Sequence, residues 1–302
     1  MAEIKSAYVM LDGRKTTATF DSKTGLWTAA VTAPSESSWS QEGHVYNAEI
    51  HADDAAGNSA VMKTTDTTYG AQLRIRVLEK TAPVATIVSP TAGSVLGSAE
   101  QTISLKISDA GNSGLNMESI KFTVNGNVIA NTNLTWADAS GAKTATYKAT
   151  GLPDGSNTIT LDVSDNDGNK ATHASTNFVI STAAPTLNVT SPADKILTNQ
   201  NKVTVSGIAK PGSASVTLSS VKINDVDAKP AADGKFSLEV TLTEGANTVK
   251  IIATDSLGKS TTVTRTITLD SKAPVISDVK TVSTTVDAGK TITITFKVVD
   301  AA

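Results

Sequence analysis

The chain has 302 residues, a formal net charge of −3, no cysteine, three histidines and 4% aromatic residues. Zero cysteine excludes disulfides and thiolate metal sites, and the acidic balance lacks the basic field that nucleic-acid binding needs. Few histidines leave little for acid–base catalysis, and no apolar run reaches the ~20 residues of a membrane helix. We therefore predict a protein that is not an enzyme, needs no cofactor, and has neither nucleic acid nor membrane as a partner.

Alternating apolar residues predict an all-β fold. Short period-two runs bounded by Gly, Asn and Asp clusters are typical of half-buried antiparallel strands, and no long segment has helical periodicity. The clearest runs contain Leu73, Ile75 and Val77; Val203 and Val205; Val249 and Ile251; and Ile292, Ile294 and Phe296. Their spacing predicts small β-sandwich modules in tandem, forming a linear rod whose first and last modules are incomplete.

Residues 1–80 predict a sandwich module that lacks its first two strands, A and B. Residues 6–13 match residues 119–126 of the following module, where the run forms strand C and ends in the Asn125-Gly126 turn. An Asn-Gly pair between apolar runs is typical of a tight hairpin. Because no run with strand character precedes residue 6, we predict that this module begins at strand C.

Two insertions distinguish the first module from the later ones. One is a Ser-rich loop that carries Trp39, and the other, at about residues 64–72, carries Tyr69. Loops inserted on a rigid scaffold commonly form binding surfaces, so Trp39 and Tyr69 are candidate interaction residues. In the alternative interpretation, both rings fold back to cover the open module. Trp27 aligns with Tyr147 and Phe236 of later modules, and we expect all three inside a sandwich.

Residues 81–182 and 183–271 predict two complete modules. Ala-Pro pairs mark the joints at Ala82-Pro83, Ala184-Pro185 and Ala273-Pro274. Asp-rich, glycine-centred turns recur at residues 53–58, 165–169 and 255–259. Each of these turns follows an earlier glycine turn by 13 or 14 residues, a spacing that fits the F and G strands of a sandwich.

Residues 272–302 predict a two-stranded ribbon, or half module. Residues 274–279 have the pattern of strand A and residues 291–299 that of strand B. The ribbon ends where the second module enters its B–C loop, so strands C to G are missing. Its alternate apolar residues are candidate interaction residues, namely Ile292, Ile294, Phe296 and Val298.

These joints and turns together resemble tandem bacterial immunoglobulin-like modules. The resemblance rests on Ala-Pro, then Asp/Glu-Gly-x-Asn-Thr, then Asp-x-x-Gly-Asn/Lys, and covers the whole chain, with the best match over residues 183–271. It implies tandem immunoglobulin-like sandwiches. It says little about function, because such modules are similar across bacterial adhesins, surface enzymes and phage tail proteins.

The two incomplete ends complement each other, since the ribbon supplies the strands that the first module lacks. An open sandwich exposes its core and an unpaired edge, and an isolated two-stranded ribbon is marginal in water. Our hypothesis is strand complementation, in which the 272–302 ribbon of one copy completes residues 1–80 of another. The alternatives are a non-standard strand order in the first module, or docking of the ribbon on an unrelated partner such as another virion protein.

The search for chemistry yields one weak metal candidate. His44, His51 and His173 are scattered and have no nucleophile or paired carboxylate around them. Asp165, Asp167 and Asn169 place hard oxygen ligands in one tight loop, as calcium prefers. The loop lacks the distal bidentate Glu of a twelve-residue calcium loop, and Asp, Asn and Gly also favour hairpin turns for conformational reasons. A turn is therefore the alternative to a calcium site.

These observations favour a structural role over catalysis. The opening residues 1–6 have no basic region followed by an apolar one, so we expect no signal peptide. Phage virion proteins need none, and we predict a tail, baseplate or fibre component located in the virion, possessing weak affinity for cell-surface carbohydrate. A bacterial cell-surface adhesin rod or spacer is the alternative. An accessory fragment of a surface glycosidase is disfavoured, because no paired catalytic carboxylates are recognisable.

Overall fold

Strands form where apolar and polar residues alternate, because one face of each strand then packs on the opposing sheet. A computed structural model describes residues 3–300. Within them, two compact units are distinguished: one comprises the chain up to Ser94 together with Glu100–Phe178, and the other comprises Val95–Ala99 together with the chain from Val179 onward. No helix in the described part is long and apolar enough to cross a membrane.

The first module is built on one sheet. Its strands are β1 (Ile4–Leu11), β2 (Arg14–Thr17), β3 (Thr19–Asp21), β4 (Leu26–Thr28), β5 (Tyr46–Asp54), β6 (Ser59–Met62) and β7 (Arg74–Ile75). The sheet order is β2-β1-β5-β6, with β7 also on β5, while β3 and β4 form a separate hairpin. Short 3₁₀ segments lie at Ser38–Ser40, Glu42–His44 and Gly70–Leu73.

The second module is a complete sandwich. Its strands are β8 (Val84–Ser89), β9 (Val95–Leu96), β10 (Gln101–Ser108), β11 (Leu115–Val124), β12 (Asn127–Ile129), β13 (Thr135–Ala139), β14 (Ala142–Ala149), β15 (Gly155–Asp165) and β16 (Ala174–Ile180), with a 3₁₀ segment at Asn131–Asn133. One sheet has the order β13-β14-β10-β8 and the other β12-β11-β15-β16-β9. In immunoglobulin-style lettering these are D-E-B-A and C′-C-F-G-A′.

The third module repeats this arrangement, and a hairpin follows it. The strands are β17 (Thr186–Ser191), β18 (Ile196–Thr198), β19 (Lys202–Lys210), β20 (Leu218–Ile223), β21 (Val226–Asp227), β22 (Lys235–Thr241), β23 (Gly245–Asp255), β24 (Ser260–Leu269), β25 (Val275–Thr281) and β26 (Ile294–Val299). The sheets are β17-β19-β22 and β18-β24-β23-β20-β21, and β25 pairs antiparallel with β26. The all-β prediction is confirmed.

The predicted correspondence between residues 6–13 and 119–126 holds in detail. β1 turns into β2 through Asp12-Gly13, as β11 turns into β12 through Asn125-Gly126, and all four turn residues have positive φ. Such a pair of left-handed residues is the two-residue turn that suits the twist of a hairpin. The strand order β2-β1-β5-β6 also equals β12-β11-β15-β16, and β7 pairs with β5 in addition.

The modules differ in the size of their buried cores. In the third module, 13 hydrophobic residues form one buried cluster, among them Val205, Ile251 and Phe236. In the first module the buried cluster has four members, Leu11, Tyr46, Ala48 and Leu73. Because burying one large apolar side chain contributes about 1.5–3 kcal/mol, the first module holds far less hydrophobic stabilisation of its own.

Candidate functional site

Three carboxylates meet where the segment between β7 and β8 passes the loops of the second module. Glu79 lies in that segment, Asp109 follows β10, and Asp165 ends β15. One carboxylate oxygen of each lies within 4.8 Å of the others. Gly111 belongs to the same contact, because a Cβ there would lie 2.4 Å from Glu79 Cδ and would displace the Glu79 carboxylate.

Each carboxylate of this cluster is held by local hydrogen bonds. Glu79 Oε1 accepts from Ser113 Oγ and Asn169 Nδ2, both at 3.1 Å. Asp109 accepts from the amides of the loop that follows it, at 3.0 and 3.1 Å. Asp165 accepts from the backbone N of Asn169 at 2.8 Å and from its Nδ2 at 2.7 Å. The cluster is therefore positioned by the B–C and F–G loops together.

The pKa values of Asp109 and Asp165 are shifted in opposite directions. Burial raises the pKa of Asp109, and the negative charges of Glu79 and Asp165 raise it further. Burial also acts upward on Asp165, but hydrogen bonds, first from Asn169, outweigh it and hold the pKa of Asp165 below its usual value. The repulsion among these carboxylates is therefore seen mainly in the raised pKa of Asp109.

The three residues of the calcium site predicted from the sequence make different contacts in the structure. Asp165 joins Glu79 and Asp109, whereas Asp167 Oδ2 accepts a hydrogen bond from the backbone N of Glu79 at 3.0 Å. Asn169 directs its amide nitrogen, a donor, at Glu79 and Asp165. The carboxylate oxygens of the acidic cluster are the hard donors that calcium takes. Calcium binding at Asp165, Asp167 and Asn169 stays a prediction.

The turn itself is shared by modules without the acidic cluster. In the first module, Asp54 accepts from the backbone N and the Nδ2 of Asn58 at 2.9 and 2.8 Å, the same two bonds that join Asp165 and Asn169. In the third module, Asp255 accepts from the backbone N of Lys259 at 2.9 Å. These bonds therefore account for the recurring turn sequence.

The corresponding joint of the third module has different chemistry. Ser181 lies four residues before Pro185, as Glu79 lies four before Pro83, and its Oγ hydrogen-bonds Ser213 Oγ at 2.8 Å. Lys259 takes the position of Asn169, and its Nζ donates to the carbonyl of Thr182 at 2.6 Å. The Ser181–Ser213 pair thus takes the place of the Glu79 contacts, and Lys259 takes the place of Asn169. Sequence reasoning missed Glu79 and Asp109, because neither stands in a recurring motif.

A second candidate surface is the open face of the first module. Apolar side chains alone line a groove of about 240 Å³, formed by Val9, Leu11, Val31, Ala33, Ala48, Ile50, Leu73 and Ile75. Ile50 on β5 pairs with Val9 as Leu161 on β15 pairs with Phe122. Ile50 is 40% exposed, whereas Leu161 is fully buried. An opposing sheet covers Leu161, whereas in the first module residues 3–80 form only the β3–β4 hairpin in place of that sheet.

The β25–β26 hairpin also exposes apolar side chains to solvent. Every residue of β26 is exposed, and Ile294, Phe296 and Val298 are between 51% and 58% exposed. Ile292 precedes β26 and is exposed as well. All four predicted interaction residues of the ribbon therefore lie at the surface of the described chain.

Trp27, Trp39 and Tyr69 are not among the residues that line the apolar groove of the first module. Trp27 is 37% exposed and packs against Phe20 on the β3–β4 hairpin, so the expectation of a buried Trp27 is wrong. Trp39 stacks on the His44 ring at 3.9 Å, and Tyr69 is 56% exposed. Neither belongs to the buried cluster of this module. Trp39 and Tyr69 remain predicted interaction residues, with Tyr69 the more accessible ring.

The histidines lie in three separate places. His51 stacks on Tyr8 at 4.6 Å and hydrogen-bonds Glu49. His173 contacts the Asp162 carboxylate at 2.7 Å on an exposed strand face, and His44 bonds the carbonyl of Trp39. These contacts are those of surface histidines on strands and loops.

Comparison with known families identifies the modules. Residues 83–161 match the family described as Bacterial Ig domain, and residues 185–271 match the family described as Glucodextranase, domain B. The chain is built of tandem immunoglobulin-like domains. Among curated proteins, Bacillopeptidase F of Bacillus subtilis (strain 168) is 32% identical over 126 residues, which cover 42% of this chain and 8% of that protein. The chain thus spans under a tenth of this relative, whose peptidase name is not transferred.

The chain is also similar to solved structures that contain several modules or domains. Fibronectin(III)-like modules of CbhA from Clostridium thermocellum are 17% identical with a TM-score of 0.34, covering 62% of this chain and 94% of theirs. The ICAM-5 D1–D4 ectodomain fragment is 17% identical with a TM-score of 0.43, covering 88% and 67%. Protocadherin Gamma B7 cadherin domains 1–4 are 13% identical with a TM-score of 0.40, covering 98% and 75%. Similarities at this level carry no functional information.

Proposed function

We propose that this chain is a non-enzymatic structural component of a phage-type tail, and that it joins that assembly through the open first module and the β25–β26 hairpin. Immunoglobulin-like domains are non-catalytic modules of structural and adhesion proteins, and their fold alone assigns no chemistry. In this proposal the second and third modules are spacers, and the apolar groove of the first module and the exposed β25–β26 hairpin make the connections.

One observation carries the proposal: the same strand position is buried in the complete module and exposed in the hairpin. Leu105 on β10 is 1% exposed, whereas Phe296, at the matching position of β26, is 58% exposed. An apolar groove and an apolar strand left in water favour association with another protein. A chain that carries both is suited to a place inside a larger assembly.

Weak glycan binding is part of the same proposal. Tyr69 lies in an inserted loop and offers an exposed ring. Linked copies in an assembly gain affinity through effective concentration, so a weak individual contact suffices. A glycan array probed with the wild-type chain and with Tyr69→Ala tests this element separately.

A bacterial cell-surface adhesin or spacer is the second candidate. The match of residues 83–161 to the Bacterial Ig domain family supports an extracellular or surface protein. On a cell surface the modules would again act as spacers. The two candidates differ in location, whereas the module chemistry is the same.

Immunogold microscopy distinguishes the two locations. Antibodies against the third module are applied to particles released by lysis and to intact cells of the producing bacterium. Gold on tails supports the tail component, and gold on intact cells supports the surface protein. Label on neither, with the chain recovered in the cytosol, contradicts both.

A further inference from the structure

We infer that the Ser-rich inserted loop of the first module, residues 34–40, is a clamp. Together with the F–G loop of the second module, it grips residues 77–79 and holds the first and second modules as one rigid body. Both modules belong to the same compact unit. The inference concerns how the chain carries its first module, and it applies to a tail component and to a cell-surface protein alike.

The first module holds the backbone of Val77. The Val77 N–H donates to Ser38 Oγ at 3.2 Å, and the Val77 carbonyl accepts from the Ser38 backbone N at 2.9 Å. Ser38 Oγ in turn donates to the carbonyl of His44 at 2.9 Å. The Val77 side chain also packs on the buried cluster of this module. Because Ser38 is 1% exposed, its hydrogen bonds lie in a low-dielectric interior, where they are stronger than in water.

The second module holds the backbone of Glu79, two residues further along the chain. The Glu79 N–H donates to Asp167 Oδ2 at 3.0 Å, and the Glu79 carbonyl accepts from Asn169 Nδ2 at 3.1 Å. The Glu79 carboxylate accepts from Ser113 Oγ at 3.1 Å. The backbone and the side chain of Glu79 are therefore both tied to loops of the second module.

Leu78 alone separates the two gripped residues. Two residues of extended chain span at most about 7 Å, which leaves no flexible linker between the two grips. Relative motion of neighbouring domains is the usual expectation where the interface between them is small. Here a change of angle between the modules has to break hydrogen bonds at Val77 or at Glu79, so the joint resists bending.

The loop that supplies Ser38 is the insertion that distinguishes the first module from the later ones. Ser37 is fully buried beside Ser38, and its Oγ accepts from the Trp39 backbone N at 3.0 Å, which caps the 3₁₀ segment Ser38–Ser40. Buried hydroxyls whose hydrogen bonds are satisfied fix the conformation of a loop. The insertion therefore presents Ser38 to Val77 in a fixed position, as a clamp requires.

Spin-label distances measure the rigidity of this joint. Because the chain has no cysteine, Val61→Cys on β6 and Val128→Cys on β12 place one label in each module, both at exposed positions. Pulsed electron–electron double resonance of this labelled chain is expected to give one narrow distance distribution.

Two further substitutions each weaken one grip in the labelled chain. Ser38→Ala removes the hydroxyl that accepts from Val77, and Asp167→Ala removes the carboxylate that accepts from Glu79. Each is expected to broaden the distance distribution. The double variant is expected to lose the narrow peak, because both modules then hold the segment with fewer hydrogen bonds.

Each variant has a matched control. Ser40 lies in the same inserted loop and its Oγ donates to the Ser37 carbonyl, so Ser40→Ala removes a serine hydroxyl without touching the joint. Asp138→Ala removes a carboxylate of the second module that pairs with Lys143 instead. Both controls should keep the narrow distribution. Hydrogen exchange of the β5 and β15 amides confirms that both modules are folded, and the single variants decide if the double variant is unfolded.

Three outcomes would overturn the inference. They are a broad distribution in the labelled chain before further substitution, a narrow distribution in the folded variants, and controls that broaden the distribution as much as the variants do. Immunogold labelling reports location and not rigidity. A flexible joint in a chain found on tails would therefore sink the clamp and leave the structural function standing, and a rigid joint with label on neither tails nor cells would do the reverse.

Discussion

The second module and the β25–β26 hairpin contain the same strand in two environments. Leu105 and Phe296 occupy equivalent positions, and both alternate with polar neighbours along their strands. Leu105 is 1% exposed because β11 and β15 oppose it, whereas Phe296 is 58% exposed because no sheet formed by residues 3–300 covers the β25–β26 hairpin. The alternation of residues therefore specifies which face of a strand is apolar, and the opposing sheet decides whether that face is buried.

The largest expected effect separates these two positions directly. Leu105→Ala should destabilise the second module by about 2–5 kcal/mol, because it removes packed atoms and leaves a cavity. Phe296→Ala should change the stability of the monomer by no more than about 0.5 kcal/mol, because the exposed Phe296 ring makes few packing contacts that the substitution could remove. Hydrogen exchange of the β10 and β15 amides measures the first, and that of the β26 amides the second, at concentrations where the chain is monomeric.

Val128→Ala is the control for both, as Val128 is an exposed residue of the second module. Equal losses at Leu105 and Phe296 would contradict the comparison, because they would mean that the hairpin is already packed in the monomer.

A smaller effect is expected at the same strand position in the third module, where the residue is Gly207. A Cβ at Gly207 would lie 2.2 Å from the backbone oxygen of Asn188 and 2.7 Å from Cζ of Phe236, so the Phe236 ring fills the space that Leu105 fills itself. Gly207→Ala should cost about 1–3 kcal/mol by overpacking. Urea unfolding followed by hydrogen exchange of the β19 amides measures this loss of stability. Ser206→Ala, on the opposite face of β19, is the control.

Shortening the ring should restore part of this loss. If Gly207→Ala combined with Phe236→Leu is no more stable than the sum of the single changes predicts, the ring is not what occupies the space.

The smallest effect concerns the pH dependence of stability at Asp109, in the acidic cluster, and at Asp54, in the recurring turn. The folded pKa of Asp109 is raised above 3.8, so its penalty is absent at low pH and appears as pH rises through the folded value. Asp109→Asn should therefore be more stable relative to the wild type at pH 7 than at about pH 3. The pKa of Asp54 is lowered by hydrogen bonds from Asn58, so its contribution is lost as pH falls. Asp54→Asn should show the opposite sign.

Thermal unfolding of both variants and the wild type at the two pH values measures this difference. The same sign for Asp109→Asn and Asp54→Asn would show that the Glu79 cluster does not distinguish the second module from the first.

Much of the fold was predictable from short-range patterns. The Asn125-Gly126 turn and period-two alternation are local signals, and each predicted the element that the structure contains. The acidic cluster was only partly predictable. Asp165 stands in a recurring turn, but Glu79 and Asp109 are distant in sequence and meet it only because the joint segment passes between two loops. The exposure of Trp27 was missed, because aligning the modules predicts which face of a strand a side chain is on. The alignment does not predict whether another sheet packs on that face.

The sequence by itself determined the all-β class and the main strands of the first module and of the hairpin. These features depend on turn chemistry and side-chain alternation, which act over a few residues. Only the tertiary structure decided that Ile50 and Phe296 are open to solvent and that Glu79 lies against Asp109 and Asp165. Burial and charge proximity depend on which strands and loops face each other, and facing partners lie tens of residues apart along the chain.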